Sequence, residues 1–223
     1  LSDRVRRASY TWESGDSYTG EWLAAKMHGR GVRISANGAT FDGNFFKGFF
    51  HGHGTATYKT GDSYIGEWAR DVPHGFGTLV LKTSGISSHP GEDASSSAAA
   101  AATTTTSTST STSTSTQSHG SPTLHQRTYV GNWESGRRKG QGTLTWDNGD
   151  QYEGGWDNDQ FHGKGILTKR DGTRYDGEWQ HGLRHGYGTY VGPLGEQYEG
   201  TWEANMKHGK GRYVAPDGSQ YTG

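Results

Sequence analysis

The chain contains no cysteine and only 2 methionines in 223 residues. Without thiols there is no disulfide framework and no thiolate chemistry, which fits a reducing compartment. No apolar run approaches the ~20 residues that span a bilayer as a helix, and no signal peptide is visible. The chain opens on Leu1, so its start is expected to lie upstream. Charge of one sign is also lacking: the formal net charge is −1, a poor match for a dedicated nucleic-acid binder. Leu, Ile and Val, the usual material of a globular core, are sparse, and the apolar fraction is 29%. In their place stand 37 Gly, 12 Tyr and 8 Trp, a composition of short strands and tight turns.

These residues recur at a fixed step, which marks a repeat array. Tyr18-x-Gly20-x-Trp22 returns 23 residues on as Phe41, Gly43 and Phe45, and again as Tyr64, Gly66 and Trp68. After a gap it resumes at Tyr129, Tyr152, Tyr175 and Tyr198, each followed by its Gly and by Trp133, Trp156, Trp179 or Trp202. A second signature, His-Gly-x-Gly, starts at His28, His51, His74, His162, His185 and His208, with Lys139 in the one divergent unit. A glycine also stands three residues before each new unit, as at Gly15, Gly38 and Gly149.

In a strand, Tyr, Gly and Trp at alternate positions share one face. The central glycine leaves room for rings to pack over the backbone. Asn37-Gly38, Asn148-Gly149, Asp171-Gly172 and Asp217-Gly218 predict two-residue type I′ turns joining one unit to the next. The loop from Trp to His is predicted to be the wider connection. Its third residue (Ala25, Gly48, Asp71, Gly136, Asp159, Gly182 or Asn205) is expected to be left-handed, with Ala25 the departure. The six signature histidines are expected to hydrogen-bond that loop. One hairpin cannot bury its own rings, so the hairpins are expected to stack into one continuous antiparallel sheet. Two strands per unit at ~4.8 Å give about 9.6 Å per unit.

The pattern Tyr-x-Gly-x-Trp-x-x-Gly-x-x-His-Gly-x-Gly resembles the MORN repeat (membrane occupation and recognition nexus). The resemblance covers most of the chain outside one insertion. It implies an all-β fold, an elongated, twisted single antiparallel sheet of stacked hairpins. Residues 1–17 read as a partial or degenerate N-terminal unit, 18–82 as units 1 to 3, and 127–220 as units 4 to 7. Residues 221–223 read as the start of a further unit. Residues 83–126, with Ser/Thr alternation from Ser107 to Thr116, read as a disordered loop at a hairpin tip. The uncapped final unit is expected to belong to a longer protein or to be covered by a partner.

No catalytic, cofactor-binding or metal-binding residue is expected. The signature histidines recur one per unit, too far apart in an extended ribbon to share an ion. Gly-x-Gly lacks the helix that a dinucleotide site requires. No Ser/His/Asp set stands apart from the repeat. The candidate docking face for a partner is aromatic: Tyr18, Trp22, Phe41, Phe45, Tyr64, Trp68, Tyr129, Trp133, Tyr152, Trp156, Tyr175, Trp179, Tyr198 and Trp202. The candidate edge for anionic lipid is Lys26, Arg30, Arg137, Arg138, Lys139, Lys164, Arg184, Lys207 and Lys210, beside fewer acids, while the Asn/Asp-Gly turns form an acidic edge.

Three functions stay open at this point. The resemblance implies a non-enzymatic scaffold in a cytoplasmic, cytoskeletal assembly such as a ciliary or flagellar axoneme. Its partners would be proteins, a helix or another subunit lying on the ribbon, with homodimers common in the family. The alternatives are a peripheral membrane or phosphoinositide-binding module, and the accessory array of a larger enzyme.

Overall fold

The computed structural model describes residues 4–84 and 124–223. They form sixteen strands in one open antiparallel sheet, ordered along the sheet as along the chain. The strands are β1 (Arg6–Thr11), β2 (Ser17–Leu23), β3 (Lys26–Ile34), β4 (Thr40–Phe46), β5 (Phe49–Thr57), β6 (Ser63–Ala69), β7 (Val72–Ser84) and β8 (Leu124–Glu134). There follow β9 (Arg137–Thr145), β10 (Gln151–Asp157), β11 (Gln160–Thr168), β12 (Arg174–Gln180), β13 (Leu183–Val191), β14 (Gln197–Glu203), β15 (Met206–Val214) and β16 (Gln220–Thr222). Each strand packs mainly on its chain neighbours, the arrangement of a quasi-one-dimensional array.

The two turn types are the reverse of the expectation. Leu23 pairs with Lys26, so only Ala24 and Ala25 lie between β2 and β3. Both are left-handed, with φ of 47° and 60°, which makes this the two-residue type I′ hairpin. The same pair of positive φ angles recurs in every Trp-to-His loop, for example Asn158 (48°) and Asp159 (68°), or His181 (51°) and Gly182 (79°). The third residue after Trp is left-handed as expected, Ala25 included; the residue before it is left-handed too.

The Asn/Asp-Gly connection is the wider one. Ser35 N–H donates to Ala39 O (2.8 Å) and Gly38 N–H donates to Ser35 O (2.8 Å). Gly38 alone is left-handed, at 88°. This is a three-residue hairpin loop, a type I turn followed by a left-handed glycine. Asn37 owes its place to its side chain, whose oxygen accepts the Ala39 N–H (2.9 Å). Asn148, Asp171 and Asp217 do the same for Asp150, Thr173 and Ser219, the Asx-turn contact.

His-Gly-x-Gly is an irregularity in the ladder. Gly20 pairs with Gly31 and Trp22 with Met27, so three residues of β3 face one of β2. Gly29, within the bulge, has φ of 58°, a conformation that glycine adopts without steric penalty. The bulge sends the histidine to the outer face. Among the described residues, none of the six signature imidazoles hydrogen-bonds the loop as expected; only His208 reaches a carboxylate, Glu203 at 3.4 Å.

The long gap enters where β7 and β8 pair, and the pairing runs further than expected. Lys82 faces Gln126, Thr83 faces His125 and Ser84 faces Leu124. Residues 83, 84 and 124–126 are therefore strand rather than loop. The expectation of disorder for the remainder of the insertion lies outside the described residues.

Candidate functional site

Within each unit the first aromatic ring, a tyrosine in six units and Phe41 in the other, lies across a window of two facing glycines. Gly66 pairs with Gly77. A Cβ on Gly77 would lie 2.2 Å from Tyr64 Oη, and one on Gly66 would lie 2.5 Å from Gly77 Cα. The ring is the unit's own tyrosine, and its hydroxyl explains the location. Tyr64 Oη donates to Glu67 O at 3.0 Å. Tyr18, Tyr129, Tyr152, Tyr175 and Tyr198 make the same bond, to Glu21, Asn132, Gly155, Glu178 and Thr201. Burial pushes Tyr175 up to about 12, and it raises Tyr64, Tyr129 and Tyr152 as well.

Four of the tyrosines meet two tryptophans edge-on, while Tyr18 meets Trp22 and Phe45. Tyr64 lies 4.9 Å from Trp68 and 5.4 Å from Trp133, centroid to centroid, at 85° and 89°. Tyr129, Tyr152 and Tyr175 repeat this with their own and the next unit's Trp. The indole N–H then ties units together: Trp68 Nε1 donates to Gly54 O, Trp156 to Gly142 O and Trp179 to Gly165 O, each at 3.1 Å.

This packing corrects the docking face expected from the sequence. Thirteen of the fourteen named rings are buried: Phe41, Phe45, Tyr18, Tyr64, Trp68, Tyr129, Trp133, Tyr152, Trp156, Tyr175, Trp179, Tyr198 and Trp202. Trp22 alone is half-buried. Edge-to-face stacking and the backbone bonds consume these groups in joining unit to unit, so they have almost no surface to give a partner.

A lid residue, which the sequence reading missed, lies two positions past the type I′ turn. Phe50 stacks on Phe41 and Phe161 on Tyr152, both at 3.7 Å. Pro73 is fully buried at the same position. In unit 1 the lid is Met27, and in units 4, 6 and 7 it is a cation. The Arg138 guanidinium sits 4.4 Å from the Trp156 ring centre, and that of Arg184 sits 4.4 Å from Trp202. The next unit's loop tip clasps the lid. Asp159 N–H donates to Arg138 O (3.1 Å), and the Asp159 carboxylate accepts the Arg138 N–H and Nε–H, both at 3.0 Å. Asn205 holds Arg184 and Asp71 holds Phe50 in the same way. Asp or Asn at that tip is thus doubly determined, by the left-handed backbone and by this reciprocal bond, whereas Gly48, Gly136 and Gly182 keep only the backbone half, as in Gly136 N–H to Pro73 O.

The basic edge is correspondingly smaller than expected. Arg138 is a largely buried lid paired with Asp159, and burial pulls its guanidinium below its usual range. Arg184 is a half-buried lid. Lys207 is exposed but lies over the Tyr198 and Tyr213 rings. Lys139 pairs with Glu134 and Arg30 with Asp42. Lys26, Arg137, Lys164 and Lys210 are exposed and form no ion pair among the described residues, though Arg137 Nη1 donates to Asn158 Oδ1 at 3.4 Å. What the ribbon presents otherwise is a polar outer face with apolar islands. Ile65 and Val130 flank Thr78 in register, and Phe76 lies beside them facing Asn132; all three apolar side chains are exposed. A second island is the Phe46–Phe49 pair at one loop tip.

Among solved structures, the chain is similar to the TCP domain of SAS-4 (dCPAP) in complex with a proline-rich motif of Ana2 (dSTIL) of Drosophila melanogaster. Identity is 10% and the TM-score 0.36, over 100% of this chain and 95% of that one. No curated protein sequence matches the chain. The MORN repeat family matches residues 18–40, 41–63, 64–85, 129–151, 152–174, 175–195 and 198–220. Together with the repeated ring, glycine and bulge geometry, that match shows that the chain belongs to the MORN-repeat family.

Proposed function

We propose that the chain is a non-enzymatic scaffold that docks partner proteins along its ribbon, within a cytoskeletal assembly such as a ciliary or flagellar axoneme. The observation that carries this reading is the division of labour between faces. The rings, glycines and lids are spent on joining units, and the outer face is left long, regular and polar with exposed Ile65, Phe76 and Val130 at its centre. An apolar island rimmed by polar side chains is the usual form of a protein-binding patch. Family membership supports the cytoskeletal setting, since MORN proteins serve as assembly platforms. Affinity capture from a ciliated-cell lysate tests it, comparing the wild-type chain with Ile65→Glu/Phe76→Glu. Axonemal partners retained by the first and lost by the second are expected. Equal recovery by both would move docking away from this face.

A second reading, binding of anionic lipid, draws on Phe46 and Phe49 exposed beside Lys47 and on the four exposed basic residues Lys26, Arg137, Lys164 and Lys210. Vesicle sedimentation with Lys26, Arg137, Lys164 and Lys210 changed to Glu tests it. Arg138 and Arg184 are unsuitable for that test, because reversing either would break the lid rather than the surface.

A further inference from the structure

Strand β1 carries a motif that joining the units does not require. Arg6-Arg7-Ala8-Ser9-Tyr10 sets a serine behind arginines two and three residues before it. No other serine or threonine of the chain has Lys or Arg at both of those positions. The surroundings suit an enzyme's protein substrate. β1 is exposed at all six positions and, among the described residues, pairs with β2 alone. Its extended backbone turns Arg6 and Arg7 to opposite sides, and the Arg7 side chain is 77% exposed. Ser9 shares the outer face with Arg7 and stands opposite Thr19. Its Oγ accepts the Thr19 hydroxyl proton at 2.9 Å, so its own proton is not committed to that bond. Tyr10, next in the strand, is 54% exposed. The equivalent hydroxyls of later units stand beside carboxylates: Thr55 faces Asp42, Thr143 faces Glu153, and Thr189 faces both Asp176 and Glu199. Residues 4–12, by contrast, hold three arginines and no Asp or Glu. Glu21, which faces Arg7 across the ladder, is already paired with it at 3.4 Å.

We infer that Ser9 is a phosphorylation site for a serine/threonine kinase whose substrate cleft carries carboxylates that take up Arg6 and Arg7. Charge patterns of this kind are how kinases choose among exposed hydroxyls, and arginine–carboxylate contacts are strong and directional. In the transfer, Ser9 Oγ bonds to the γ-phosphorus of magnesium-bound ATP and the bond from that phosphorus to the β,γ-bridging oxygen breaks. ADP leaves, and the hydroxyl proton passes to the kinase's catalytic aspartate. The product carries about −1.5 to −2 charges at Ser9, against the three positive charges of Arg4, Arg6 and Arg7. It also offers Arg7 a second acceptor on its own face, in competition with Glu21. The outcome is a reversible change of charge confined to one end of the outer face. The inference goes beyond the scaffold reading and does not depend on it.

The test incubates the whole folded chain with magnesium-ATP and the cyclic-AMP-dependent protein kinase, an enzyme of this arginine-directed class, beside a peptide of residues 4–12. Intact and fragment mass spectra are expected to find one phosphate per chain, on Ser9, and none in Ser9→Ala. Arg6→Ala and Arg7→Ala should each lower kcat/KM about tenfold or more, the loss of one charge-assisted contact. Both side chains are exposed, so urea midpoints of the variants should match the wild type, which separates lost recognition from lost fold. Phosphorylation of the peptide but not of the folded chain overturns the inference, because β1 would then be out of the kinase's reach. Phosphate carried by the Ser/Thr-rich insertion in place of Ser9, or equal rates for wild type and both arginine variants, overturns it as well.

Discussion

Consider adding one methyl group at Gly77. Its Cβ would fall 2.2 Å from Tyr64 Oη, 2.5 Å from Cζ and 2.7 Å from Cε2. The ring cannot slide, because Trp68 and Trp133 hold it edge-on from both sides. Accommodating the methyl group therefore means ejecting Tyr64. The losses are one hydrogen bond to a backbone carbonyl, about 1–2 kcal/mol, and two edge-to-face contacts, about 0.5–1.5 kcal/mol each. Some relaxation offsets part of this, and about 3–4 kcal/mol is expected for Gly77→Ala. The diagnostic is a double-mutant cycle. If the clash is with the ring, the penalty of Gly77→Ala should fall below about 1 kcal/mol in a Tyr64→Leu background. Urea unfolding followed by tryptophan fluorescence gives the free energies. Amide exchange along β6 and β7 shows whether loss is local, as a one-dimensional array allows. An equal penalty in both backgrounds would refute the glycine-window account.

Three further outcomes follow from the same geometry. Ala24→Asn/Ala25→Gly should stabilise the chain by about 1 kcal/mol, because each alanine now bears a left-handed backbone that Asn and Gly tolerate; an unchanged urea midpoint would contradict this. Asp159→Ala should destabilise by about 3 kcal/mol by stranding the buried Arg138 guanidinium, while Asp159→Asn should lose about 1 kcal/mol or less, since Asn205 already serves Arg184 that way. Acid should weaken the array. The Ala36 N–H and Arg33 hold Asp16 below its ordinary 3.8, and the Thr173 and Ser219 contacts do so for Asp171 and Asp217. A lowered folded-state pKa contributes stability above the ordinary value and loses it as pH falls through the lowered one, so thermal midpoints should drop below about pH 4 and stay level from pH 5 to 7.

The repeat, the all-β class and the shared ring face were legible because Tyr, Gly and Trp keep strand alternation at a fixed step. The turns were not. Asn-Gly is the common I′ signal, yet here Asn37 acts through its side-chain oxygen, and the I′ conformation falls on Ala24-Ala25, which carry no such signal. The aromatic face was located correctly but given the wrong task. Alternation shows which side chains share a face, and says nothing of whether successive units close over it. Arg138 and Arg184 looked like surface charge for a related reason: only the register across units shows that Asp159 and Asn205, 21 residues later, reach back to them.

The backward reach of each unit sets an order on how the chain can be made. Tyr64 is enclosed only once Trp133 arrives, and the carbonyl of Gly142 is met only by Trp156. A ribosome delivers residues N-terminus first, at about 5–20 per second. The folding front must therefore trail synthesis by one repeat, with the latest tyrosine always half covered. Between Tyr64 and Trp133 that delay is lengthened by the whole insertion. Units 1 to 3 would wait there with an open flank for several seconds, the stage of biogenesis at which a chaperone or an early-binding partner has most to do.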